Sequence, residues 1–199
     1  MTTAIIDTST ANIASVGFAL DRLGADHVLA RTPDEAAGCE RLILPGVGAA
    51  GPAMAHLDES GWSEALRREV RPVLGLCLGM QLLFEWSDES ACPLLGLIPG
   101  RVERLEPGEA GPWPHMGWNA LTDLTPGEPL LRGVHEGERV YFVHGFHVRP
   151  GPFSAAATQY GAPVTAIARK DHVAGCQFHP ERSAAPGARI LKNFLESRP

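Results

Sequence analysis

The sequence predicts an α/β fold: an open, largely parallel central sheet with helices on both faces, extended by antiparallel strands in the second half. Three observations carry that expectation. Short apolar runs alternate with stretches of helical periodicity through the first half of the chain. Glycine-rich turns follow two of those runs directly, at Pro45–Gly51 and around Gly75 and Gly79. From about Gly100 the texture changes to extended runs separated by turns such as Pro107-Gly108 and Pro126-Gly127.

Taken in order, Ala4-Ile5-Ile6 is a short apolar strand. Ile13, Val16, Leu20 and Leu23 then recur at helical spacing, with Gly24 as the stop. His27 to Ala30 and Arg41 to Leu44 are the next strands, the latter ended by Pro45 and the glycines behind it. A helix is expected after Gly51, another over Trp62 to Arg71, and a buried strand over Val73 to Leu76. Leu78 to Trp86 reads as a helix with Leu78, Leu82 and Leu83 among its apolar positions. Arg101 to Leu105, Arg139 to His144, Val164 to Arg169 and Val173 to Phe178 read as strands. A final helix carries Ile190, Leu191, Phe194 and Leu195 on one face. No repeat and no linker interrupts residues 1–199, so one domain is expected.

Composition narrows the function classes. The 17 Lys and Arg against 23 Asp and Glu give a formal charge of −6, and neither sign forms a block. That disfavours coating nucleic acid or a membrane surface, both of which need a concentrated basic face. The apolar stretch Pro72 to Phe84 is interrupted by Gly75, Gly79 and Gln81 and falls short of the roughly 20 residues of a membrane span. Cysteines 39, 77, 92 and 176 form no C-x-x-C pair, so neither a zinc site nor a dithiol redox motif is expected. Met1 to Thr10 lacks the basic and apolar regions of a secretory signal, so the expectation is a cytoplasmic protein with free thiols.

The sharpest local feature is Gly75-Leu76-Cys77-Leu78-Gly79, a nucleophile-elbow pattern with a thiol in place of the hydroxyl. A strand turning abruptly into a helix exposes its central side chain. The flanking glycines let the two backbones approach. The helix that follows presents unpaired N–H groups, which favour a thiolate, and the N–H of Leu78 could bind an oxyanion. Most free cysteines are merely small buried residues; the strand-before, helix-after context favours a nucleophile here.

A thiol nucleophile needs a base and the base an orienting partner. His179-Pro180-Glu181 follows an apolar strand, and Pro180 holds His179 extended. Residues two apart in such a segment face one side, so Glu181 can hold the imidazole of His179. Histidines 27, 56, 135 and 172 stand near turns or charges and receive no role. Gly46, Gly48 and Gly51 spell G-x-G-x-x-G after a strand, which alone would suggest a nucleotide. However, Pro45 intrudes and no strand ending in an acid follows about 20 residues on. The same loop can instead offer backbone N–H groups to a substrate or oxyanion.

Together and in this order, Pro45-Gly-Val-Gly48, Cys77 and His179-Pro-Glu181 resemble the class I, triad-type glutamine amidotransferases. Further runs (Gly75-Leu-Cys-Leu-Gly-Met-Gln-Leu-Leu-Phe-Glu85, His115-Met-Gly-Trp-Asn119, Tyr141-Phe-Val-His144 and Gln177-Phe-His-Pro-Glu181) are similar to the glutaminase subunits of imidazole glycerol phosphate synthases. The resemblance spans about Asp7 to Leu195, and His115–Asn119 is its most particular segment.

The resemblance implies a flavodoxin-like sheet and hydrolysis of glutamine to glutamate and ammonia. Cys77 would be the nucleophile, His179 the proton shuttle and Glu181 its orienter. Val47, Gly48 and Leu78 would supply oxyanion N–H groups, and the glycines flanking Val47 would let its peptide flip. Gly48, Gln81, Glu89, Gly145 and Phe146 would hold glutamine. Asn12, Trp118, Asn119 and Tyr141 would face a partner, a (β/α)₈ cyclase that consumes the ammonia in histidine biosynthesis. No cofactor and no metal are implied. Two stretches depart from the family. Thr8-Ser-Thr-Ala-Asn12 replaces a Tyr-Gly-x-Gly-Asn run, and Gly145-Phe146 replaces Ser-Tyr.

Overall fold

The computed structural model describes residues 1–9 and 13–197. The first half comprises β1 (Thr3–Ile6), α1 (Ile13–Arg22), β2 (His27–Ala30), β3 (Arg41–Gly46), α2 (Ala50–Glu59), α3 (Trp62–Arg67), β4 (Val73–Cys77) and α4 (Leu78–Leu82). Next come the short strands β5 (Trp86–Ser87) and β6 (Cys92–Pro93), then β7 (Arg101–Arg104), β8 (His115–Ala120), β9 (Arg139–His144) and β10 (Phe146–His147). The chain ends with β11 (Ser154–Tyr160), β12 (Ala162–Lys170), β13 (Val173–Cys176) and α5 (Ala184–Glu196).

Among the described residues the main sheet runs in the order β11-β12-β13-β4-β3-β1-β2. From β2 to β13 every pairing is parallel; β12 and β11 add antiparallel strands at one edge. The parallel strands are clad on both faces, and the period-two pleat divides their side chains between two cores. Ala4, Ile6, Leu42, Leu44 and Val73 join one cluster with Leu57, Trp62 and Met80. Ile5, Ile43, Leu74 and Leu76 join the other, with Leu20 of α1 and Ile190 and Phe194 of α5. Burial of both faces explains why β1 and β3 read as unbroken apolar runs and not as alternating ones.

Boundaries differ from expectation where local chemistry intervenes. The helix from Leu78 stops at Leu82, because Glu85 N–H turns away to Gly100 O (3.1 Å) and Trp86 pairs with β6 and β7. The helix from Trp62 stops at Arg67; Glu69 accepts the N–H groups of Val70 and Arg71, each at 3.0 Å, ahead of Pro72. Strands β8 and β11 are not among the expected elements. The first contains a glycine and the second an alanine run, both weak strand formers.

What positions the site is the packing of β3, β4 and α4. A Cβ on Gly79 would lie 1.7 Å from Leu44 O, and one on Gly75 would lie 2.5 Å from Gly79 O. Neither obstacle is a side chain that could rotate aside. Gly79→Ala is therefore expected to destabilise the fold by more than about 3 kcal/mol. Gly38→Ala, where a Cβ meets nothing within 4 Å, is the neutral control in the same denaturant-unfolding series.

Candidate active site

Cys77 ends β4 and Leu78 opens α4, with no residue between them. The corner forces Cys77 to φ 52°, ψ −108°, a conformation costly for a residue with a side chain. Its sulfur sits 3.6 Å from Val143 O on β9, and Gln177 Nε2 donates to it across 3.9 Å. The sheet thus delivers Cys77 at the carboxyl ends of its parallel strands, where open α/β sheets bind ligands.

His179 arrives from the neighbouring strand, three residues beyond the end of β13. Its backbone is pinned to β9: His179 N–H donates to Tyr141 O (2.9 Å), Tyr141 N–H to Ser183 Oγ (2.9 Å), and Ser183 Oγ back to His179 O (2.6 Å). His179 Nδ1 lies 2.8 Å from Glu181 Oε1, so Nδ1–H donates to the carboxylate and Nε2 is left for the side of the cavity that Cys77 also lines. Burial alone would pull the His179 pKa down. The hydrogen bonds and charges of Cys77 and Glu181 outweigh it and hold the value up at about 10.

A cavity of about 150 Å³ opens over the sulfur, lined by Val47, Gly48, Cys77, Leu78, Gln81, Glu89, Val143, His144, Gly145, Phe146 and His179. That is well below the roughly 300 Å³ at which drug-sized pockets begin, and it suits an amino-acid-sized ligand. Gln81 Nε2 is held by Phe146 O (2.9 Å) and Gln177 Oε1 (3.0 Å), which leaves its own oxygen for a ligand. Glu89 Oε2 accepts Ala50 N–H (3.1 Å) and Ser90 Oγ accepts Gly51 N–H (2.9 Å). A carboxylate therefore already occupies the start of α2, where the phosphates of a dinucleotide would need to bind. The two glycines beside Val47 serve different ends. Gly48 stands at φ +90°, a turn that favours glycine, whereas a Cβ on Gly46 would come within 3.0 Å of Gly79 N.

At the cavity wall stand two buried imidazoles without a role in the expectations above, His144 lining the cavity and His115 packed against it. His144 Nδ1 donates to Phe146 O (2.9 Å), and His115 Nδ1 lies 3.1 Å from His144 Nε2 and donates to it. His115 is stacked between Phe142 (4.9 Å) and Tyr160 (3.9 Å). Burial lowers the His115 pKa to about 4. Burial, followed by the proximity of His115, lowers that of His144 to about 3. Gln177 is likewise a missed contributor. Gln177 directly follows β13, and its amide reaches Cys77 and Gln81; the extended segment expected through Glu181 ends at His179, where a 3-10 turn over Pro180–Arg182 brings Glu181 back to the imidazole.

Of the remaining sequence-chosen residues, Trp118, Asn119 and Tyr141 lie on the paired strands β8 and β9. Trp118 is 48 % exposed and packs against Tyr141 with ring centroids 5.9 Å apart. Asn119 is committed within the chain, donating to Gln159 O (2.8 Å). Asn12 lies outside the described residues. Met116, Trp118 and Val47 are exposed apolar side chains, and the first two flank Gly117 on β8.

A sulfur paired with a carboxylate-oriented imidazole, beside backbone N–H groups at a strand-helix corner, can carry acyl transfer through a thioester. The family described as "Glutamine amidotransferase class-I" matches residues 5–197. The imidazole glycerol phosphate synthase subunit HisH of Xylella fastidiosa is 50 % identical over 193 residues, covering 97 % of this chain and 96 % of the relative. HisH of Vibrio parahaemolyticus is 42 % identical over 198 residues, covering 96 % of each. Among solved structures, a glutamine amidotransferase superposes with a TM-score of 0.74 at 22 % identity, over 97 % of both chains. PurLQS from Thermotoga maritima superposes with a TM-score of 0.71 at 19 % identity, over 98 % of this chain and 97 % of that one. These two likenesses establish the open, largely parallel sheet as a class I amidotransferase fold. The chain belongs to the class-I glutamine amidotransferase family, and within it to the HisH subunits of imidazole glycerol phosphate synthase.

Proposed function

We propose that the chain is the glutaminase subunit of a two-part synthase in histidine biosynthesis, working in the cytoplasm as one glutamine amidotransferase domain. The observation that carries this reading is the meeting of Cys77 and His179 at one cavity of amino-acid size, with Glu181 holding the Nδ1 side of the imidazole. The Cys77 sulfur attacks Cδ of glutamine. The resulting oxyanion is received by the N–H groups of Leu78 and of the Val47-Gly48 loop. His179 gives its proton to the departing ammonia, and a γ-glutamyl thioester remains. His179 then takes a proton from water, whose oxygen attacks the thioester and releases glutamate. Gln81, Glu89, Gly48 and the Gly145–Phe146 backbone hold the substrate's amino-acid end.

The electrostatics fit this sequence of events. Cys77 and Glu181 together raise the His179 pKa. Acylation of the sulfur removes the contribution of Cys77, and the imidazolium becomes a better acid at the moment the amine must leave.

Ammonia passes to a (β/α)₈ cyclase, which uses it to make imidazole glycerol phosphate and an aminoimidazole carboxamide ribonucleotide. Support for such a partner comes from the names of the relatives and from the exposed Trp118 beside Tyr141. Gly48 at φ +90° lets the Val47 peptide turn, so docking of the cyclase can swing the Val47 N–H toward the oxyanion.

Three outcomes test this reading. A glutamine-derived chloroketone adds its mass at Cys77, and Cys77→Ala both abolishes labelling and lowers glutamine hydrolysis on the order of 10⁴-fold or more, with the melting curve preserved. Unlabelled Cys77 with hydrolysis intact would remove the nucleophile. Second, adding the cyclase raises glutaminase turnover on the order of 10²-fold, the value of one oxyanion donor, while Trp118→Ala weakens the complex about tenfold. Equal turnover with and without the cyclase would end the Val47 switch. Third, NMR titration separates the histidines. The His179 pKa is raised, so its charge survives to about pH 8; those of His115 and His144 are lowered, so both stay neutral down to about pH 5.5. In Cys77→Ala the His179 pKa falls.

A further inference from the structure

Gly145 lines the cavity beside Phe146, and its glycine is not there for conformational freedom: its backbone lies outside the left-handed region. The reason is space. A Cβ at 145 would lie 2.6 Å from Cζ2 and 2.9 Å from Cε2 of the Trp113 indole. The indole is held there from several directions. Its Nε1–H donates to Gly145 O at 2.8 Å, and Leu105 N–H donates to the same oxygen at 2.9 Å. The Arg104 guanidinium lies 4.1 Å from the ring centroid, and the Phe146 ring meets it edge-on at 6.4 Å. Arg104 and Phe146 are themselves paired across β7 and β10.

The next carbonyl is fixed as firmly. Phe146 O accepts from both Gln81 Nε2 and His144 Nδ1, each at 2.9 Å. One wall of the cavity is thus a two-residue turn whose two carbonyls are each tied by two donors. Trp113 is the only one of the four that sits where a side chain at 145 would be.

We propose that Trp113 is a positioning residue for glutamine. Its indole fills the space left by the absent side chain at 145 and fixes the Gly145–Phe146 turn in the shape that grips the substrate. The inference rests on the glutaminase reading above. Because Trp113 is 42 % exposed, its removal leaves the core intact. Because the turn touches the amino-acid end of the substrate and not the sulfur, its disturbance reaches KM and leaves kcat.

The test is a double-mutant cycle on the full chain in complex with the cyclase, with thermal melting of each chain alone. Gly145→Ala and Trp113→Ala are each expected to raise KM for glutamine about tenfold, with kcat within about twofold. Trp113→Phe, which keeps bulk but loses the N–H donor, falls between. The double variant is no worse than Trp113→Ala alone, about tenfold and not the roughly hundredfold of independent losses, because the added methyl no longer meets a ring. Additive KM effects, or losses carried by kcat, overturn the inference. A coupled melting cycle beside an additive KM cycle does so as well, since it reduces Trp113 to packing. A wild-type complex that leaves glutamine untouched defeats instead the glutaminase reading on which the inference stands.

Discussion

The contact on which the site depends is between two stretches of main chain. Gly79 at the start of α4 lies against Leu44 O at the end of β3, so close that no side chain fits between them. That approach brings α4 back across the sheet immediately after β4 and forces Cys77 into its strained corner. Strain of this kind, of order 1–3 kcal/mol, persists only where the surroundings over-determine it. Here the surroundings are the two parallel neighbours β3 and β13 and the cores on both faces of the sheet. The sulfur's exposure to the cavity is therefore a consequence of packing that is otherwise structural.

Around this corner the imidazoles divide by environment. His179 is half-buried, yet the Glu181 carboxylate on one side and Cys77 on the other keep its charge in place. His115 and His144 are buried against aromatic rings and each other with no carboxylate at hand, and burial wins. A neutral His144 donates from Nδ1 to Phe146 O and accepts at Nε2 from His115, so the pair acts as a fixed chain of dipoles. Had His144 carried a charge, it would sit beside the positive His179 and compete for the same proton balance. Of the three imidazoles in the cluster, only His179 is held in the charged form.

How much of this was legible in the sequence depended on whether the signal was local. The parallel strands and the elbow at Cys77 were readable because glycine spacing and apolar runs are local consequences of burial on two faces. His179 and Glu181 were readable as a pair, but not for the reason the sequence offers: only His179 is extended, and a 3-10 turn over Pro180–Arg182 returns Glu181 to the imidazole. Gln177 was missed because its chemistry did not demand a partner. The His115–His144 pair was not readable: it depends on the register of β8 with β9, which sets His115 opposite His144 and is invisible in either strand alone. The reason for glycine at 145 was equally hidden, since the obstacle is a ring 32 residues earlier in the chain. In sequence that glycine is a departure from a serine; in the fold it is half of a pair.

The element that unites the two halves of the site is β9. Along its six residues, Tyr141 carries the aromatic contact with Trp118 and accepts the N–H of His179, Val143 offers its carbonyl to Cys77, and His144 holds the substrate turn. Its partner β8 presents Met116 and Trp118 to solvent. A protein seated on those two strands would press on one that touches His179, Cys77 and the Gly145–Phe146 turn within four residues. On the glutaminase reading proposed above, coupling ammonia production to a partner then needs no long pathway: a displacement of β9 bears on all three at once, while β4 and β13, packed on both faces, stay where the sheet holds them.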